Sequence, residues 1–143
     1  MNGEVVEKRL FDLVELFLRE HLSIRGRLYY RELRPICSDP TKYEEDAIVA
    51  FLTGTSGDIQ EGTCLVNVYV KDVQAAKSGM WYKNKARCSE IAEALELFPD
   101  FATKNDSDIY FKQSEMIATL EDAEIHQHFV SLKMKFKVLN EHY

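Results

Sequence analysis

Residues 130–138 constrain this chain more than any other segment, because apolar and polar residues alternate there without interruption. The apolar positions are Val130, Leu132, Met134, Phe136 and Val138, and the polar positions between them are Ser131, Lys133, Lys135 and Lys137. Successive side chains of a strand point to opposite faces, so the pattern predicts a half-buried strand with a ridge of lysines outside. The chain therefore contains a sheet with one buried face.

Two helices are predicted to bracket this sheet. Apolar residues recur at helical spacing over residues 4–21, with charged residues on the other side, which predicts an amphipathic helix. Its apolar positions are Val6, Leu10, Leu13, Val14 and Phe17. A second helix is predicted over residues 87–98, ending before Pro99.

The remaining strands are short and mostly adjacent in sequence. Residues 28–33 favour a strand and precede Pro35, which cannot donate to a sheet ladder, so this strand is expected at an edge. Residues 47–52 and 63–71 flank a turn and are expected to pair as a hairpin. Residues 109–120 are expected to form a strand that turns near residues 121–124 into the final strand.

Two connections carry no regular pattern. Residues 36–46 hold Pro40 and the acidic cluster Glu44-Glu45-Asp46, which predicts a solvated connection, and residues 73–83 are expected to be irregular. The order of elements predicts an α+β fold, a mainly antiparallel sheet of about five strands flanked by two helices in the order α-β-β-β-α-β-β. A chain of 143 residues is the size of one domain, expected over residues 1–143.

Charge and cysteine content narrow the classes of function. The net charge is −6 and the basic residues form no long run, so sequence-specific nucleic-acid binding is not expected. No apolar run approaches the roughly 20 residues that span a bilayer, so no membrane contact is expected. Cys37, Cys64 and Cys88 are odd in number and widely spaced, which favours reduced cysteines that act as small apolar side chains.

His126-Gln127-His128 is the pattern closest to a metal motif, since residues two apart on a strand face the same way. Asp122 or Glu124 is the nearest candidate for a third ligand, but solvated turn residues explain the segment more simply. Gly54-Thr55-Ser56-Gly57 lacks the lysine of a phosphate-binding loop and leads into a strand, so a hairpin loop is the favoured interpretation.

Catalytic chemistry has no positive support in the sequence. There is no Gly-x-Ser-x-Gly elbow, and no cysteine lies in a setting that suggests activation. The acidic residues fall in predicted loops, where charge keeps a surface hydrated; they are Glu44, Glu45, Asp46, Asp58, Glu61, Asp106 and Asp108. We therefore expect a non-enzymatic protein without a cofactor.

Two features predict an interface instead. Met80, Trp81 and Tyr82 adjoin in a predicted loop and would anchor a contact if exposed, whereas the alternative has Trp81 folded back over the sheet. Charge is also uneven, which either reflects solvated faces or favours head-to-tail contact between copies. The basic positions are Arg25, Arg27, Arg31, Arg34, Lys133, Lys135 and Lys137, and the acidic ones are Asp39, Glu44, Glu45, Asp46, Asp58 and Glu61.

The sequence resembles the tail terminator, or tail-completion, proteins of long-tailed phages over nearly its whole length. The likeness lies in Gly26-Arg27-Leu28-Tyr29-Tyr30 before Arg34-Pro35, in the apolar strand of residues 48–52, in Gly62-Thr63-Cys64-Leu65-Val66-Asn67-Val68-Tyr69-Val70, and in the alternating end of the chain. The acidic connection of residues 39–46 departs from the family's pattern.

This resemblance implies a phage or prophage structural protein that forms a ring, usually hexameric. Such a ring caps the tail tube and joins it to the head-tail connector, so the tube protein and the connector are the implied partners. The implied location is the cytoplasm during assembly and then the virion tail. The resemblance transfers no catalytic residues; it places residues 54–62 and 80–82 at contacts with neighbours or with the tube. A small metal-dependent or acid/base enzyme and an intracellular α+β binding module are the alternatives.

Overall fold

The fold combines a six-stranded sheet, a separate two-stranded sheet and α-helices. The computed structural model describes residues 1–52 and 57–139. Its α-helices are α1 (Gly3–Glu20), α2 (Lys85–Leu95) and α3 (Phe98–Asn105). Its strands are β1 (Leu28–Tyr30), β2 (Ala47–Phe51), β3 (Glu61–Lys71), β4 (Val73–Gln74), β5 (Trp81–Tyr82), β6 (Ile109–Gln113), β7 (Ala118–Asp122) and β8 (Gln127–Val138). The predicted α+β class is confirmed.

The larger sheet is mixed rather than purely antiparallel. Its strands lie in the order β1-β2-β3-β8-β6, and β7 also pairs with β8. β1 runs parallel to β2, whereas the pairings of β2 with β3 and of β8 with β3, β6 and β7 are antiparallel. The predicted edge position of β1 and the predicted hairpin of β2 and β3 are confirmed. The strand predicted over residues 28–33 ends at Tyr30, however, and Arg31–Leu33 form a 3-10 turn. The parallel pair arises because the long connection after β1 returns the chain to the end of the sheet at which β1 began, so that β2 runs in the same direction.

The sheet has six strands rather than about five, because the single strand predicted over residues 109–120 is two strands. β6 pairs with the C-terminal half of β8, with Ile109 opposite Val138. β7 pairs with the N-terminal half, with Ala118 opposite Ser131. Both therefore lie along one edge of β8, and the predicted reversal into β8 is the 3-10 turn Ala123–Ile125.

α1 forms as its pattern predicts. The side chain of Asn2 accepts a hydrogen bond from the backbone N–H of Glu4 at 2.7 Å, which satisfies one of the unpaired donors at a helix start. The predicted apolar positions of α1 are all buried, and these are Val6, Leu10, Leu13, Val14 and Phe17. Among the helices of the described residues, none is long and apolar enough to cross a membrane.

The second predicted helix has different ends from those expected. It begins at Lys85 and ends at Leu95, and a second short helix then starts at Phe98. Pro99 lies in the first turn of α3, where a helix has no use for the missing N–H of proline. Pro99 therefore belongs to the start of a helix and does not mark the end of one.

The helices share one core with one face of the larger sheet. The core cluster joins apolar residues of α1, α2 and α3 to alternate residues of β3 and β8. The strand residues are Cys64, Val66, Val68, Val70, Val130, Leu132, Met134, Phe136 and Val138. Ile48, Ala50 and Leu65 are also buried, but they lie on the opposite face and outside this cluster. The predicted half-buried character of β8 is confirmed, and its lysines are exposed on this outer face.

Native thiol reactivity tests the packing of β3 and α2. Cys37 is half-buried, whereas Cys64 and Cys88 are buried. Burial raises the pKa of Cys64 to about 12, and burial also raises the pKa of Cys88, so neither forms a reactive thiolate at neutral pH. We expect Ellman's reagent to label only Cys37 in the native protein and all of the cysteines in denaturant. A native Cys37→Ser variant that still reacts rapidly would contradict this packing.

Candidate functional site

A short β-hairpin, made of β4 and β5, stands apart from the six-stranded sheet. Val73 lies opposite Tyr82, and Gln74 lies opposite Trp81. Gly79 completes the turn with a φ of 70°, a backbone conformation that residues with a Cβ rarely adopt. Residues 73–83, predicted to be irregular, therefore form an ordered hairpin; two-residue strands are too short to leave a periodic pattern in the sequence.

Trp81 fixes this hairpin to the body of the protein. Its indole ring stacks on the imidazole of His126, with centroids 4.3 Å apart and planes inclined by 16°. His126 has a φ of 53° at the end of the 3-10 turn, so it is not on a strand with His128. The Nδ1 atom of His128 lies 2.6 Å from a carboxylate oxygen of Asp72, immediately before β4. The base of the hairpin thus has two separate attachments.

The opposite face of the hairpin is apolar and exposed. Val73 and Tyr82 face the same way as a cross-strand pair, and Met80, two residues before Tyr82, extends that face. Their exposed fractions are 41% for Val73, 68% for Met80 and 53% for Tyr82. The sequence left open whether residues 80–82 are exposed or packed against the protein. In the structure Trp81 is packed against His126, whereas Met80 and Tyr82 are exposed. Their role at an interface stays a prediction.

The outer face of the sheet carries the predicted lysine ridge. It consists of Lys133, Lys135 and Lys137. Lys112 of β6 lies directly opposite Lys135, and Lys133 pairs with Glu115 at 3.2 Å. Like charges directly opposite each other on a sheet are unfavourable. Lys112 and Lys135 therefore form a like-charged pair on this face, whereas Lys133 has an acidic neighbour.

The acidic cluster after β1 is only partly solvated: Glu44 is exposed as predicted, whereas its two neighbours are not. Glu45 and Asp46 are buried, with exposed fractions of 8% and 6%. A carboxylate of Asp46 accepts a hydrogen bond from the backbone N–H of Arg27 at 2.9 Å and pairs with the Nε atom of Arg34 at 3.1 Å. These partners compensate the charge, which is the condition for burying a carboxylate.

Arg34 contacts residues of the connection between β1 and β2 and residues of the sheet. Its guanidinium carbon lies 4.9 Å from the ring centroid of Tyr43 and 4.0 Å from that of Tyr69. Its Nη2 atom donates to the side-chain oxygen of Gln127 at 3.0 Å. Stacking of arginine on aromatic rings and a charged hydrogen bond together favour its desolvation. Arg34 therefore belongs to the interior and not to an exposed basic surface.

Glu45 makes the matching link to α2. Its carboxylate accepts from Arg87 at 2.7 and 3.0 Å, and Arg87 also donates to the backbone oxygen of Ser23 at 2.6 Å. The hydrogen bond with Glu45 is the main reason that the pKa of Arg87 is raised above its usual value. Two of the predicted acidic residues thus neutralise arginines of the same chain.

The other predicted interface residues are distributed over several elements. Arg27 and Arg31 are exposed beside β1, and Glu61 lies opposite Lys137 on the outer face. Asp58 accepts a hydrogen bond from the N-terminal amine. Some of the predicted basic and acidic residues therefore adjoin one another, as Lys137 and Glu61 do. The predicted contact residues 54–56 lie outside the described residues.

Arg9 carries an ion pair that the sequence analysis missed. Its Nη1 atom lies 3.2 Å from Asp106 and 2.8 Å from Asp108. The hydrogen bond to Asp108 is the main reason that the pKa of Arg9 is raised. No local pattern could reveal this contact, because 97 residues separate Arg9 from Asp106 along the chain.

His126 and His128, for which the sequence favoured solvated turn residues over metal ligands, are both partly buried, and His128 lies within β8. His126 stacks on Trp81, and His128 pairs with Asp72. Within residues 1–52 and 57–139, no three His, Cys, Asp or Glu side chains come close enough together to hold a metal ion. An open cavity of about 380 Å³ does lie beside the start of α2, but its charged walls include the Glu45–Arg87 pair that connects the elements of the fold.

Comparison with known proteins adds no relative: neither a scan against protein-family models nor a search of curated proteins finds a match to this chain.

Replacement of Asp46 by Asn should destabilise the protein strongly. The substitution leaves the buried Arg34 guanidinium without its counter-charge, and breaking a buried ion pair from one side costs about 3 to 5 kcal/mol. Glu44→Gln is the matched control, since its pair with Lys71 is long and exposed and contributes about 0 to 1 kcal/mol. Urea unfolding measures both variants; equal stabilities would contradict the structural role of the Asp46–Arg34 pair.

Lys112→Glu should stabilise the isolated chain. It converts the Lys112–Lys135 repulsion into an attraction, an effect of roughly 0.2 to 1 kcal/mol for a cross-strand pair. Lys112→Gln, which only removes the repulsion, is expected to give a smaller gain. Both gains should shrink in about 1 M salt, where charges are screened within about 3 Å. If the variants unfold with the same free energy as the natural chain, or if their gains do not depend on salt, this register of β6 and β8 is contradicted.

Proposed function

We propose that this chain is a non-enzymatic structural subunit that assembles head to tail with copies of itself, in the manner of the tail terminator proteins that it resembles. The observation that carries the proposal is the β4–β5 hairpin. It holds Met80 and Tyr82 exposed on one face, while Trp81 fixes the other face to His126.

The form of the hairpin is that of a contact element. Its exposed side chains are not part of the core cluster, so packing within the chain does not explain why these positions are apolar. Methionine and tyrosine are enriched at protein interfaces, and a few such residues carry most of the binding free energy of a contact. A hairpin that is already ordered also loses little conformational freedom when it binds.

The lysine ridge is proposed as a second contact, with a different and acidic partner. It lies on the outer face of the sheet, whereas the helices share the core on the other face. By resemblance, the partners outside the ring are the tail tube protein and the head-tail connector. The ring, its location in a virion tail and these partners belong to the proposal.

Light scattering of the purified chain over a range of concentrations tests self-assembly directly. We expect a discrete species whose mass is a multiple of 16.6 kDa, near six chains if the resemblance extends to ring size. Met80→Ser combined with Tyr82→Ser should weaken assembly by about tenfold or more, since the loss of one or two interface anchors costs at least 1.4 kcal/mol. Trp81 is retained so that the hairpin keeps its attachment.

The control for this variant removes the same residue types from another exposed position. Met116 and Tyr110 have exposed fractions of 88% and 44%, so Met116→Ser with Tyr110→Ser should assemble like the natural chain. A chain that is monomeric at every concentration would overturn the proposed function. Equal assembly of both double variants would remove the hairpin from it.

A further inference from the structure

A groove between α1 and the end of β1 offers a surface complementary to the hairpin. It has a volume of about 510 Å³ and is lined by Glu4, Glu7, Lys8, Tyr30, Glu32 and Leu33. Its apolar wall is fixed, because the ring of Tyr30 stacks on Phe11 with centroids 4.5 Å apart. Leu33 has an exposed fraction of 66%, so a large apolar side chain faces solvent there. The groove is of the size that binds small ligands or inserted side chains.

Carboxylates outnumber amines along the lining of the groove, with Glu4, Glu7 and Glu32 against Lys8. Glu7 has a raised pKa, mainly because it is partly buried and also because the charges of Glu4 and Glu32 oppose its ionisation. Lys8, the only basic residue that lines the groove, pairs instead with Asp12 at 3.0 Å. The carboxylates of the groove repel one another. A cation that entered the groove would therefore be bound favourably, because it would relieve this repulsion.

The hairpin supplies the complementary chemistry. From Val73 to Ser89 the sequence contains no acidic residue, although the chain as a whole has a net charge of −6. The basic residues of this segment are Lys77, Lys83, Lys85 and Arg87. Lys77 is exposed in the hairpin turn, and the apolar pair of Met80 and Tyr82 is exposed beside it. An apolar surface flanked by lysines thus matches an apolar groove flanked by glutamates.

The two surfaces lie toward opposite ends of the larger sheet. The hairpin follows the C-terminal end of β3, whereas the start of α1 is hydrogen-bonded to residues just before β3, including Gly3 to Gly57. β3 has 11 residues, which corresponds to roughly 35 Å at the rise of an extended strand. A contact between unlike surfaces at opposite ends of a molecule is heterologous, and such contacts close into rings or extend into filaments.

We propose that the β4–β5 hairpin of one copy docks into the α1–β1 groove of the next copy, with Met80 and Tyr82 against Tyr30 and Leu33 and with Lys77 beside Glu7 and Glu32. This inference rests on the proposed self-assembly and names the two surfaces that perform it.

Zero-length cross-linking identifies these surfaces in the natural chain. A carbodiimide joins lysine amines to carboxylates that are in contact, and mixing unlabelled with ¹⁵N-labelled chains separates cross-links between copies from those within a copy. We expect intermolecular cross-links from Lys77 or Lys83 to Glu7 or Glu32. An assembled protein whose intermolecular cross-links all involve other residues, such as the lysine ridge, would overturn the inference and leave the proposed self-assembly intact.

A charge exchange tests the same contact by energetics. Lys77→Glu and Glu32→Lys should each weaken assembly about two- to tenfold, and the chain carrying both substitutions should regain most of the loss, because every interface then pairs the exchanged charges. Glu93→Lys, an exposed carboxylate on α2 outside the groove, is the control and should leave assembly unchanged.

Light scattering of the natural chain and of the four variants separates the outcomes. Losses that add in the double variant, with no recovery, would exclude the Lys77–Glu32 contact. A natural chain that stays monomeric would overturn the inference together with the proposed function.

Discussion

The antiparallel pairing of β3 with β8 determines where nearly every other feature of this protein lies. The two strands pair from Glu61 opposite Lys137 to Lys71 opposite Gln127. Because side chains alternate between faces, this one register places the valines of β3 beneath the helices and the lysines of β8 outside. A shift of one residue would bury the lysines. The register also directs the chain from the end of β3 straight into the hairpin, next to the start of β8.

Ion pairs with buried carboxylates connect the rest of the fold to this sheet. Asp46 and Glu45, at the entrance to β2, bind Arg34 in the preceding connection and Arg87 in α2. Through these contacts the connection, the edge of the sheet and the second helical segment are fixed relative to one another. Gly26 permits this arrangement, since a Cβ there would lie 2.4 Å from the backbone oxygen of Glu45.

The proposed assembly surface is built at low structural cost. The hairpin adds two short strands outside the main sheet and is attached to it mainly by the stacking of Trp81 on His126 and by the pairing of Asp72 with His128. Its exposed face is free to serve a partner without disturbing the core. The α1–β1 groove lies near the other end of the molecule, so one chain carries both surfaces of the proposed head-to-tail contact.

The sequence by itself determined the elements whose periodicity is long: α1, the hairpin of β2 and β3, the alternation of β8 and hence the exposed lysine ridge. It also singled out Met80, Trp81 and Tyr82 by their chemistry, but it left open which of them are exposed. Only the tertiary structure decided the parallel pairing of β1, the division of residues 109–120 into two strands and the burial of Glu45 and Asp46. Local patterns report which side of an element is apolar, but these features depend on partners distant in sequence. A carboxylate is solvated or buried according to whether an arginine reaches it in space, and no local spacing encodes that distance.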